Sequence, residues 1–135
     1  MPKEDYLLKY LEKLSRVIAA MLGLREKGFP QDALRQADET YNELLAIDLE
    51  TLAIMPAGEF DALVRKHGYS STYIDALAKL TVETARCYGA ECENLKMRIF
   101  SEKALLLYRL LNEKDRTFSF EREMIITELK QLAAK

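Results

Sequence analysis

Two stretches of helical apolar spacing are separated by only Gly28, Phe29 and Pro30, and no other feature of the chain limits its fold so sharply. Upstream, Leu7, Leu11, Leu14, Ile18 and Met21 recur at intervals of four, three, four and three, with Lys9, Glu12, Lys13 and Arg16 on the opposite side. That spacing predicts a helix over about 4–27. Downstream, Ala33, Ala37, Tyr41, Leu44 and Leu45 predict a second helix over about 30–47. Gly ends a helix well because no Cβ opposes the left-handed conformation, and Pro opens one because its missing N–H is not needed in the first turn. So short a connection makes the two helices antiparallel. Ala33 and Ala37 allow close backbone approach near the turn, while Tyr41 and Leu44 fill the wider end. From Val17 to Leu24 apolar residues spread round most of the helix, which predicts cover on two sides, by a third helix or by a second copy of the chain.

Beyond this first hairpin (about 4–47) the pattern weakens over a connector of about 48–70, broken by Pro56 and Gly58. A short helix over about 57–66 rests on Phe60, Leu63 and Val64 and ends at His67-Gly68. A second hairpin follows over about 71–112. Its first helix starts at Ser71 or Thr72, where Thr72 and Asp75 have the spacing of a capping box, and it presents Ile74, Leu77, Ala78, Thr81, Ala85 and Tyr88. After a break at Gly89, its second helix carries two apolar seams. One is Leu95, Ile99, Leu106 and Leu110; the other is Phe100, Ala104, Leu107 and Leu111. A closing helix over about 119–134 is capped by Ser119 and packs through Met124, Ile125, Leu129 and Leu132. With only five Gly and three Pro to interrupt it, the chain reads over 1–135 as a single all-α domain of about five to six helices arranged as antiparallel hairpins.

Composition narrows the function. Apolar residues at 49% and charged residues at 31% belong to a globular protein, and disorder is excluded. Twenty-two acidic against 20 basic residues give a net charge of −2, which lacks the counterion release that drives nucleic-acid binding. The longest apolar run, Val17 to Leu24, falls far short of the ~20 residues that cross a bilayer, and its charged flank is unlike a signal peptide. The expectation is a cytoplasmic protein with neither nucleic acid nor membrane as partner.

Sites of chemistry are sparse. Cys87 and Cys92 match neither a redox CxxC motif nor half of a zinc site, and they read as reduced, half-buried thiols near a helix end. His67, the sole histidine, stands at a helix end, where it interacts favourably with the C-terminal dipole. No Glu-x-x-His pair and no phosphate loop occurs, so no metal, cofactor or nucleotide is expected and no catalytic residue is assigned.

The string Arg25-Glu26-Lys27-Gly28-Phe29-Pro30-Gln31-Asp32-Ala33-Leu34 resembles the inter-helix turn of a tetratricopeptide repeat, where a Gly closes the first helix and an Ala five residues later begins close packing of the second. Ala85-Arg86-Cys87-Tyr88 and Glu102 to Tyr108 resemble parts of a second, degenerate copy, with Cys92 in place of the turn Gly and Met97 in place of the packing Ala. The resemblance is to a small bacterial tetratricopeptide-like domain. It implies a right-handed stack of hairpins whose first helices line a concave groove for a partner's peptide. Carried over, the groove residues are Ile18, Leu22 and Arg25 in the first copy, and Lys79, Val82, Glu83 and Arg86 in the second. The family's carboxylate clamp of Lys, Arg and Asn is not reproduced: Ile18 and Leu22 stand in the first copy and no Asn in the second.

The expected function is a non-enzymatic module that binds a protein or peptide, or pairs with itself through the first helix. The alternatives are a small-ligand-binding or enzymatic domain with its site between helices, and a regulatory domain of a larger system.

Overall fold

The computed structural model describes residues 2–67 and 70–135, with side chains described from residue 8 onward. Leu7 of the first apolar stripe and Gly68 of the expected stop at His67-Gly68 lie outside the described side chains and residues. Seven helices are described: α1 (Pro2–Glu26), α2 (Pro30–Leu45), α3 (Leu49–Ile54), α4 (Ala57–His67), α5 (Ser71–Ala90), α6 (Asn94–Lys114) and α7 (Phe120–Ala134). The element beyond the expected five to six is α3. It is too short for periodicity to reveal, and it forms because the Asp48 carboxylate accepts from the N–H of Thr51 at 2.7 Å. The start of α5 also differs from expectation. Ser70, not Thr72, is the cap, and its hydroxyl accepts from the N–H of Tyr73 at 3.3 Å.

α1 with α2 and α5 with α6 are the two hairpins. α5 is the centre of the fold, packed on α1, α2 and α6, while α6 also meets α3, α4 and α7. Leu80 to Ala85 are buried without interruption, so this part of α5 is covered on every side. The inner seam of α6, Phe100, Ala104, Leu107 and Leu111, is buried throughout, whereas Leu95 at the start of the other seam is exposed. Each of those large side chains contributes about 1.5–3 kcal/mol by leaving water. Tyr41 fills the wide end of the first hairpin, and its hydroxyl bonds Thr81 at 3.2 Å and Thr84 at 3.0 Å. The Phe100 ring lies between Tyr88 and Tyr41, at 5.3 and 6.5 Å between centroids.

The two hairpin turns have the same backbone. Phe29 N–H reaches the Leu24 carbonyl at 2.7 Å, and Glu93 N–H reaches that of Tyr88 at 2.9 Å. Gly28 donates to Arg25 at 3.1 Å and Cys92 to Gly89 at 3.0 Å; Lys27 donates to Gly23 and Glu91 to Cys87, both at 3.1 Å. One constant offset along the chain relates every member of this set. Gly28 and Cys92 are its left-handed residues, with φ of 88° and 59°. Cys92 therefore performs the helix stop that its side chain gives no hint of. The departures at this turn also compensate. Met97 replaces the small Ala33, and opposite it Gly89 replaces Arg25; a Cβ at 89 would lie 2.9 Å from the Met97 sulfur.

Candidate functional site

The seven residues marked by the repeat resemblance fall on α1 and α5. Leu22 is 37% exposed and Ile18 half-buried, while Val82 is only 3% exposed and belongs to the core. Lys79 is engaged by Asp75 at 3.2 Å, one turn away. Arg25 and Arg86 are brought together by Glu83. Arg25 donates to this buried carboxylate from Nε at 2.6 Å and Nη2 at 3.2 Å, and Arg86 Nη1 stands 3.7 Å from it. Arg86 in turn donates to Glu128 of α7 from Nε at 3.0 Å and Nη2 at 2.7 Å. The result is a four-charge ladder, Arg25–Glu83–Arg86–Glu128, that ties α1, α5 and α7. Hydrogen bonding to the carboxylates raises the pKa of both arginines, and Arg86 holds Glu128 below the ordinary carboxylate value. These charges satisfy one another.

Cys87 is buried, and that burial, with Glu83 beside it, pushes its thiol up to about 12. Cys92 is exposed, so the two thiols differ, where the sequence suggested a half-buried pair. Burial lowers the pKa of Lys103, yet its ammonium is held by the Met55 carbonyl at 2.7 Å and lies over the Phe60 ring, an attachment of the connector to α6. His67 is the exposed last residue of α4. Among the described residues no group of three or more His, Cys, Asp or Glu is placed to hold a metal ion. No helix of the described residues is long and apolar enough to cross a membrane.

A large open cavity lies elsewhere, where α6 hands over to α7. It measures about 510 Å³ and is lined by residues including Arg109, Asn112, Arg116, Phe118, Ser119 and Glu123. Local bonding fixes its shape. Asp115 leaves α6 in an extended conformation and accepts from the N–H of Thr117 at 3.0 Å. Arg122 bonds Asn112 at 2.9 Å and Asp115 at 3.4 Å, and the Ser119 hydroxyl caps α7 by accepting from the N–H of Arg122 at 3.2 Å.

Three large apolar side chains stand out from this junction: Phe118 at 74% exposure, Phe120 at 71% and Met124 at 60%. Met124 was expected inside with Ile125, Leu129 and Leu132. The helix instead turns Leu129 inward and leaves Met124, one turn beyond Phe120, on the outer side. Phe118 precedes the cap, the position from which an apolar residue ordinarily staples to the fourth residue of the helix. Here that residue is Glu123, so Phe118 has no apolar partner there. This mismatch was the one signal in the sequence that could have marked the site.

Beside the cavity, and sharing Ser119 with it, lies a recess of about 110 Å³ bounded by Asp75, Lys79, Tyr108, Arg122 and Ile125. The Tyr108 hydroxyl is buried there without a hydrogen-bond partner.

No protein-family model, no curated protein and no solved structure matches this chain significantly.

Proposed function

We propose that this chain is a non-enzymatic protein-interaction module whose contact surface is the junction of α6 and α7. The exposure of Phe118, Phe120 and Met124 beside an open cavity carries the proposal. Aromatic and Met side chains bring large contact area with few torsions to freeze, which is why they dominate binding hot spots. An apolar cluster with a polar border is the ordinary signature of such a contact. The α1–α5 face named by the repeat resemblance is less suited, because its charges are engaged with one another and Val82 is buried.

The test is affinity capture from source cells with the intact protein, compared with Phe118→Ser/Phe120→Ser/Met124→Ser and, separately, Leu22→Ser. Partners lost with the triple variant and kept by Leu22→Ser support the proposal. An unchanged set with the triple variant overturns it. Self-pairing through α1 is the second proposal, favoured by the exposure of Leu8 and Leu22 on that helix. Light scattering that finds only monomer at high concentration would remove it.

A further inference from the structure

We infer that the groove between α6 and α7 takes an extended peptide segment carrying acidic side chains next to a bulky apolar one, an inference that rests on the interaction-module proposal. The charges of the groove are unequal in what they have left to offer. Glu113 is paired with Arg65 at 3.2 Å, and Asp115 with Arg122 at 3.4 Å and the N–H of Thr117 at 3.0 Å. Arg109 and Arg116, in contrast, have no acidic partner among the described residues, and against these two cations Glu123 is the one lining carboxylate left without a basic partner there. Two guanidinium groups, each able to grip a carboxylate with two parallel N–H bonds, therefore line the same cavity as the exposed Phe118. The first turn of α7 opens on the same groove through Ser119, and its dipole adds to the attraction for negative charge.

The size of the apolar cluster selects the kind of partner. Aromatic side chains offer on the order of 150–250 Å² each, so three residues mostly exposed present a few hundred Å². That falls short of the about 800 Å² per partner of a stable pairing between folded proteins, a second copy included. It suits one or two anchor side chains of a short segment. An anionic lipid surface fits less well. It would meet the whole outer side of α7 at once, where Glu121 and Glu123 are exposed among Phe120 and Met124 and repel it. A peptide can place its carboxylates at Arg109 and Arg116, away from Glu123 on the opposite rim, and its apolar side chain against Phe118, with Phe120 and Met124 exposed next along α7.

The experiment is selection of a random-peptide phage library on the full chain, with counter-selection on Phe118→Ser/Phe120→Ser/Met124→Ser. Fluorescence anisotropy then measures the enriched peptides, synthesised with a label. Expected are peptides with clustered Asp or Glu beside an aromatic or Leu residue, weakened about tenfold by Arg109→Gln/Arg116→Gln and weakened again by added salt. Both arginines are exposed, and unchanged circular dichroism and melting of that variant would show that it folds. Apolar peptides without acidic enrichment, or binding indifferent to Arg109→Gln/Arg116→Gln, would overturn the inference while leaving the interaction module standing. Absence of any peptide that depends on Phe118, Phe120 and Met124 would overturn the inference, while the capture experiment with the same triple variant decides the interaction module separately. Phosphatidylserine vesicles bound through the same residues, with phosphatidylcholine vesicles unbound, would overturn the peptide in favour of a lipid surface.

Discussion

Arg25 and Glu83 meet fork to fork across 58 positions of chain, Nε to Oε2 at 2.6 Å and Nη2 to Oε1 at 3.2 Å, and so join the first hairpin to the central helix. The Glu83 carboxylate is buried, and among the described residues Arg86, at 3.7 Å, is the only other cation paired with it. Removing one partner of such a pair strands the other. Arg25→Met is expected to cost about 3 kcal/mol, the low end for a buried pair because Arg25 keeps one side wet. Arg25→Met/Glu83→Met recovers much of that loss. Urea titration of the two single variants and the double variant measures the coupling; strictly additive losses would show that the pair contributes little.

Cys92 and Ala46 hold left-handed backbone with a Cβ in place, while Gly28 holds the same conformation without one. The left-handed region costs an L-residue about 1 kcal/mol, so Cys92→Gly is expected to raise stability by about that much and Gly28→Ala to lower it equally. Nothing lies within 4 Å of a Cβ built at Gly28, so conformation and not crowding sets its loss. Thermal melts of the two variants in parallel decide the matter; a destabilised Cys92→Gly would contradict it.

Tyr108 and Tyr41 are both deeply buried, yet only the Tyr41 hydroxyl is satisfied. Tyr108→Phe removes a stranded polar atom and is expected to leave stability unchanged or raise it by about 1 kcal/mol. Tyr41→Phe breaks the bonds to Thr81 and Thr84 and is expected to lower it by about 1 kcal/mol. Denaturant midpoints that move in the same direction for the two variants would refute the distinction.

The hydrogen bond from Arg86 depresses the pKa of Glu128 below its ordinary 4.5. A depressed carboxylate contributes stability that is whole above its unfolded pKa and is lost as pH falls through the folded one. The advantage of the wild type over Glu128→Gln is therefore full above about pH 4.5 and disappears at lower pH. The pair is partly exposed, so the gap is at most about 1 kcal/mol. Melting temperatures of both proteins across the acid range test this; a constant gap would exclude the Arg86 pair as its source.

Hairpins were legible in the sequence because apolar periodicity and the Gly28–Pro30 punctuation act locally. Leu14, Met21, Ala33, Ala37 and Tyr41 are buried as that spacing requires. What stayed hidden depends on geometry between helices or on backbone alone. Six residues of α3 are too few to show a period. The repeat resemblance put Cys92 at the turn Gly position, but nothing in a cysteine announces left-handed backbone, and Glu83 reads as a surface charge until Arg25 is folded onto it. The junction of α6 and α7 was missed for a related reason. Periodicity says which residues share a helix face, not which face a neighbour covers, and at Met124 the two answers differ.

Leu129 is the only fully buried side chain of α7; its remaining attachments are half-buried apolar residues, the Glu128 pair and the bonds of Arg122. With far fewer fully buried side chains than α5, α7 is expected to open locally at lower free energy than that core helix. Phe120 and Met124 ride on it, so opening of α7 would carry the apolar cluster away from α6. Whatever grips that cluster together with Arg109 of α6 works as a clasp across the junction, and each partner bound holds the chain's last helix shut.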